Sequence, residues 1–249
     1  MLNASLEQQT RGRRTILAPM RFSLPCGRLT AVLGPNGAGK STLLQALSRG
    51  KAAGAQILDG RRQLGPRDIC YLPQAFAVVS ELSVLDCVIL GQRERLGLRV
   101  PQQAVTQARS LLDRLGLGDL ATRAMSALSG GQQQRVLLAQ RLFRGGRVMA
   151  LDEPTSALDL HHQLAVLGYL RDFAERTGTA VVLSLHDLNL AARFCTHALL
   201  LAEGRLICEE TPERALNAPA IRRFWKVAPE WLRDSENNAV FVPHMLTHR

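Results

Sequence analysis

Residues 28–47 read RLTAVLGPNGAGKSTLLQAL, and the order of parts in that stretch decides the fold. A short apolar run from Leu29 gives way to a glycine-rich loop, and the loop to a helical pattern of leucines. Strand, loop and helix in that order carry GxxxxGK[ST] from Gly34 to Ser41, with Thr42 next. The glycines let backbone N–H groups close around phosphate oxygens, and the helix starting at Lys40 turns its positive end toward them. Gly34, Pro35, Asn36, Gly37, Ala38, Gly39, Lys40, Ser41 and Thr42 are therefore candidate nucleotide ligands. Lys40 would reach the β- and γ-phosphates, and the Ser41 hydroxyl would ligate Mg²⁺.

VMALDEP (Val148 to Pro154) and TAVVLSLHD (Thr179 to Asp187) are two more apolar runs with polar ends. Helical stretches follow each, Leu160 to Arg176 and Leu188 to Cys195. Such alternation predicts a parallel sheet with polar groups at the carboxyl ends of its strands. Asp152 ends the first run, where a carboxylate can hold Mg²⁺ directly or through water. Adjacent side chains of an extended chain diverge, so Glu153 is free to face an attacking water. His186 follows the other run at the same sheet edge, placed for a γ-phosphate oxygen or that water.

The segment from about 82 to 144 reads differently. In PQQAVTQARSLLDRLGLG, Pro101 suits a first helical turn, and Val105, Ala108, Leu111, Leu112 and Leu115 recur at helical spacing until Gly116 and Gly118. It predicts a helical lobe inserted into an α/β core that spans about 1–81 and 145–211. Residues 212–249 predict a helix and a small strand-bearing appendage.

LSGGQQQR, from Leu128 to Arg135, is a second glycine loop, but it brings no lysine of its own. Ser129 suits an N-cap, Gly130 and Gly131 permit close backbone approach, and the helix from Gln132 onward presents free N–H groups. That end is worth about 1 kcal/mol toward an anion. It is too weak to hold a nucleotide alone and ample to complete one held elsewhere, so the loop makes sense as half a site.

With these residues in hand, nearly the whole chain resembles the ATP-binding cassette (ABC) ATPases. GPNGAGKST resembles their Walker A and LSGGQQQR their signature. MALDEPTSALD resembles Walker B with its catalytic glutamate, Glu153, and the D-loop ending at Asp159. LPQ is similar to the Q-loop, with Gln74, and LHD to the switch histidine, His186. The resemblance implies a P-loop NTPase core with a parallel sheet, a small N-terminal antiparallel β-subdomain and an inserted helical subdomain. It also implies a head-to-tail pair of cassettes, in which Ser129, Gly130, Gly131 and Gln132 of one cap ATP on the Walker A of the other, and Lys40 of the facing subunit supplies the missing charge. The pair is this chain with itself or with a paralogue. Glu153 would polarise the water, His186 would stabilise the transition state, and Asp159 would signal across the dimer. Ser41, Gln74 and Asp152 would hold Mg²⁺, and residues from about Ala75 to Leu96 would receive a helix from a membrane partner. One departure stands out: QQTRGRRTIL lacks the aromatic residue that many cassettes stack on adenine, so either an arginine plane takes the base or the base is weakly held.

The 249 residues carry no apolar leader and no run near the roughly 18 to 20 apolar residues of a membrane span. The scattered Cys26, Cys70, Cys87, Cys195 and Cys208 read as free thiols of a reducing compartment. A net charge of +10 favours an anionic partner or surface. With 4% aromatics and no basic tail, nucleic acid is not expected. SLHDLNLAARFCTHALLLAEGRL, followed by TPERAL, is similar to the importer branch serving iron–siderophore, haem and cobalamin. That branch implies integral membrane permease subunits, a periplasmic binding protein acting indirectly, and a peripheral place on the cytoplasmic side of the bacterial inner membrane. Zinc or manganese importers are the nearest rival, followed by a soluble ABC ATPase acting on ribosome or DNA.

Overall fold

A computed structural model describes residues 1–74, 80–94, 100–216 and 219–246. The stretch from Ala75 to Leu96, expected to meet a membrane partner, lies in part outside them, at 75–79 and 95–96. The chain opens on β1 (Leu2–Leu6), a short hairpin of β2 (Gln9–Arg11) and β3 (Arg14–Leu17), and β4 (Met20–Leu24). β5 (Leu29–Leu33) leads through the first glycine loop into α1 (Lys40–Arg49), and β6 (Ala55–Asp59), β7 (Arg62–Gln63) and β8 (Ile69–Leu72) follow. Three helices come next, α2 (Val84–Ile89), α3 (Gln102–Arg114) and α4 (Gly130–Arg144). Then come β9 (Val148–Leu151), α5 (Leu160–Thr177), β10 (Ala180–Ser184), α6 (Leu188–Phe194), β11 (His197–Ala202) and β12 (Arg205–Glu210). α7 (Pro212–Leu216), α8 (Pro219–Trp225), β13 (Val227–Arg233) and β14 (Ala239–Met245) close the described chain.

The described strands form a central sheet ordered β12-β11-β5-β10-β9-β8 and an N-terminal sheet ordered β4-β1-β6-β7. The central sheet is parallel from β8 to β11, as the alternation of strands and helices predicts. β12 adds to its edge antiparallel, which the sequence reading did not anticipate. Both faces of the parallel strands are covered. Leu29, Ala31 and Leu33 of β5 pack with Met149, Leu151, Val181 and Leu183 on the side of α5. Val32, Val148, Ala150, Val182 and Leu199 pack on the other side with Leu43, Leu44 and Leu47 of α1 and the N-terminal sheet. Two-sided burial is why these runs read as continuously apolar rather than alternating.

Register then fixes the site. Val182 lies level with Thr30 on one side and Ala150 on the other, so β5, β9 and β10 end together. The residues just past those ends, the glycine loop, Asp152 and His186, are thereby delivered to one edge.

α3 buries Ala104, Ala108, Leu111 and Leu112, much the face that its spacing predicts. Pro101 is the N-cap in extended conformation rather than part of the first turn. α4 packs against α2 and α3, and buried Arg135 donates to the Leu115 carbonyl at 3.1 Å, tying α4 to the end of α3. The last strands pair antiparallel, Trp231 opposite Phe241, with ring centroids 5.6 Å apart. The Asn189 side chain on α6 accepts the Phe241 N–H at 2.7 Å and donates to its carbonyl at 3.2 Å. Two short helices precede these strands, where one was expected.

Candidate nucleotide site

The first glycine loop ends at Gly39, whose φ of 103° no side chain adopts cheaply. A Cβ there would also lie 2.4 Å from Leu17 Cδ2, so close packing and backbone conformation both require glycine. No side chain caps the helix that follows, and the N-terminal turn of α1 faces the cavity with its positive end open to an anion. Lys40, 7% exposed, bends back so that Nζ donates to the carbonyls of Gly34 at 2.8 Å and Pro35 at 3.2 Å. Those carbonyls occupy two of the three ammonium donors that a phosphate would take. Burial lowers the Lys40 pKa, while the charges of Glu153 and Asp152 pull it back up.

The cavity beside this loop measures about 590 Å³. Asn36 to Thr42 form one wall, Gln74, Glu153 and His186 one end, and Arg11, Arg14 and Ile16 of the β2–β3 hairpin another part of the lining. The sequence-named loop residues, Gln74, Glu153 and His186 are thus brought together. Gly34 and Pro35 stand behind the wall as acceptors for Lys40. No Phe, Tyr or Trp side chain is among the lining residues.

Asp152 and Glu153 differ from expectation in how they separate. The chain is not extended there: β9 ends at Leu151, and Glu153 adopts φ 49°, a left-handed conformation that costs about 1 kcal/mol or more outside glycine. The turn, rather than strand alternation, sends the two carboxylates apart. Asp152, 2% exposed, accepts from Ser184 Oγ at 2.7 Å, and that hydroxyl accepts the Glu153 N–H at 2.8 Å. The Glu153 carboxylate is held at both oxygens, by His186 Nε2 at 2.5 Å and by Gln74 Nε2 at 2.8 Å.

Ser129 caps α4 as expected, with a reciprocal capping box. Its Oγ accepts the Gln132 N–H at 3.4 Å, and Gln132 Oε1 accepts the Ser129 N–H at 3.0 Å. The Gln132 N–H is therefore not free, contrary to the sequence reading. Ser129 to Gln132 do not line the cavity of the first loop. Gly131 presses on the segment after Glu153, where a Cβ would lie 2.7 Å from the Ala157 carbonyl oxygen. That segment ends at Asp159, the N-cap of α5, whose carboxylate accepts the His162 N–H at 2.9 Å. This bond and the His162 ring hold the Asp159 carboxyl below its usual range.

Sequence reasoning missed Ser184 and Gln134. Ser184 sits inside an apolar run with no local signal, and it reaches the Asp152 carboxylate and the Glu153 N–H only because β10 lies beside β9. Gln134 reads as one glutamine among three, yet its Nε2 donates to the Glu153 carbonyl at 2.9 Å.

The sequence profile described as ABC transporter matches residues 17–156. The chain is 43% identical over 230 residues to a hemin import ATP-binding protein, HmuV, of Pseudomonas entomophila, covering 87% of this chain and 89% of that one. It is 34% identical over 238 residues to the iron(3+)-hydroxamate import ATP-binding protein FhuC of Bacillus subtilis, covering 91% and 88%. Among solved structures it resembles a metal-chelate type ABC transporter in an inward-facing conformation, with a TM-score of 0.77 and 29% identity over 97% of this chain and 96% of that one. A glycine loop that opens a helix on a cavity, with a carboxylate between a glutamine and a histidine at its end, agrees with that relationship. The chain belongs to the ABC transporter family as an ATP-binding, ATP-hydrolysing cassette.

Proposed function

We propose that this cassette is the ATPase subunit of a bacterial importer for a metal chelate, haem foremost among haem, iron–siderophore and cobalamin. Two copies work head to tail. The observation that carries the reading is the division of the site: the first loop, Gln74, Glu153 and His186 share one cavity, while Ser129–Gln132 stand outside it. The capped α4 end is thereby left for the triphosphate of a second copy. The hemin and hydroxamate import relatives support the cargo class. Among the described residues no helix is long and apolar enough to cross a membrane. Permease subunits would supply the span, with this chain peripheral on the cytoplasmic face. The lobes divide at about 82, 144 and 212.

In the hydrolytic step Glu153 takes the proton of the attacking water. Each carboxylate oxygen already accepts one bond, from His186 and from Gln74, so the base is held in place before nucleotide arrives. Arrival of the γ-phosphate draws His186 and Gln74 to new acceptors and frees the carboxylate for water. The Lys40 ammonium leaves the Gly34 and Pro35 carbonyls for β- and γ-oxygens. Arg11 or Arg14 lies flat on the base in place of an aromatic ring. Mg²⁺ suits the hard oxygen donors at hand: Ser41 and Gln74 line the cavity, and one Asp152 oxygen is not used by Ser184. Among the described residues no three His, Cys, Asp or Glu side chains converge on a metal position, which fits an ion that takes other ligands from phosphate. When bound, it would offset phosphate charge. Asp159 is the chain's signal to its partner copy.

Glu153→Gln tests the reading: nucleotide binding should persist, turnover should nearly vanish, and an ATP-loaded dimer should accumulate in light scattering. Normal hydrolysis by that variant sinks the base assignment. For cargo, growth on haem, a hydroxamate siderophore or cobalamin after loss of the gene separates the three.

A further inference from the structure

Glu153 is gripped through its backbone as well as its carboxylate. On the amide side, Ser184 Oγ of β10 accepts its N–H at 2.8 Å. On the carbonyl side, Gln134 Nε2 of α4 donates at 2.9 Å. Gln134 is 5% exposed and lies little more than one helical turn beyond Ser129. A carbonyl can only accept, so the amide must present its nitrogen there. Its Oε1 is then buried and finds no donor among the described residues. A side chain kept in the interior with half of its bonding unmet, for the sake of one contact, points to that contact.

We propose that Gln134 is a positioning residue that ties the signature loop to the general base of the same chain. The proposal rests on the head-to-tail reading. In such a pair Ser129–Gly131 meets the partner's triphosphate, whereas Glu153 serves the chain's own. The bond from Gln134 to Glu153 therefore joins two different active sites inside one polypeptide. α4 is a continuous helix from Gly130 to Arg144, so a shift of its first turn on closure arrives at Gln134 undiminished. There it moves the carbonyl of a residue already in left-handed conformation, whose carboxylate must swing free of His186 and Gln74. The unmet Oε1 leaves the side chain with a better seat to find once the lobe moves. Each site then readies the base of the other.

The test measures ATP hydrolysis against ATP concentration for the full chain, Gln134→Leu and Gln134→His, with Glu153→Gln carried alongside. Leucine keeps the bulk and loses the donor, and histidine keeps an N–H donor. For Gln134→Leu, kcat should fall about ten-fold at unchanged half-saturating ATP, and the Hill coefficient should fall to about one. Gln134→His should restore cooperativity. Combined with Glu153→Gln, Gln134→Leu should still form the ATP-dependent dimer. Wild-type kcat and cooperativity in Gln134→Leu overturn the proposal, as does a rate loss with cooperativity intact, which is what a packing role produces. If Glu153→Gln alone yields no ATP-dependent dimer, the head-to-tail reading fails and the proposal falls with it.

Discussion

Ser184→Ala removes one oxygen from the site and should disturb it more than any change of that size elsewhere in the central sheet. The Ser184 side chain is fully buried and makes two bonds, donating to Asp152 Oδ1 at 2.7 Å and accepting the Glu153 N–H at 2.8 Å. Alanine leaves the Glu153 N–H without an acceptor, a cost of about 1–3 kcal/mol, and takes a donor from an ionised carboxylate, a further loss of about 1.5 kcal/mol or more. A cavity of about 230 Å³ lined by Ser184, Thr155 and Gln163 lets a water recover part of this. The net cost is about 2–4 kcal/mol, or roughly 5–10 °C in Tm for a chain of this size. Because Glu153 holds φ 49° against its own preference, losing its amide anchor should also spread the carboxylate over several positions. kcat should fall about ten-fold, while KM for ATP, set by the untouched glycine loop, should stay within about two-fold. Urea unfolding followed by circular dichroism gives the first quantity and phosphate release the second. A stability change under about 0.5 kcal/mol with wild-type kcat would refute the argument that this hydroxyl holds the Asp152 carboxylate and the Glu153 amide together.

Arg11→Ala and Arg14→Ala together should raise the equilibrium Kd for ATP about five-fold, the worth of a guanidinium plane on a base; unchanged nucleotide binding would mean that the β2–β3 hairpin does not touch the base. His197 sets an acid limit on stability. Burial lowers its pKa from 6.5, more than the neighbouring Glu209 raises it. Below the ordinary imidazole value the unfolded chain takes up a proton that the folded chain resists, so stability should fall as pH drops below about 6.5 and be independent of this group above it. Urea midpoints at pH values on either side should diverge less in His197→Asn than in the wild type, and equal divergence would exclude this histidine as the cause.

What the sequence disclosed and what it hid follow from how far apart the partners lie in the chain. Gly34 to Thr42 are consecutive, so their chemistry could be read in one stretch. The α3 face repeats at helical spacing, and β5, β9 and β10 announce themselves as apolar runs ending in polar residues. Ser184 and Gln134 had no such signal. Each meets Glu153 across a long sequence separation, one through sheet register and the other through packing of α4 on the core. The left-handed turn at Glu153 was hidden for a related reason, because it is held by those distant bonds against local preference. The antiparallel placement of β12 is set by the tight turn at Glu203 and Gly204, both at positive φ, rather than by its composition.

The attachment of β13 and β14 has a mechanical consequence. Asn189 grips the peptide of Phe241 from both sides, as a neighbouring strand would, and it lies only three residues after His186. The β13–β14 pair is thus fastened within three residues of the histidine that touches the base. Whatever pulls on that pair, whether a docked protein or a protease cut between its strands, works on the hydrolytic machinery through a very short lever.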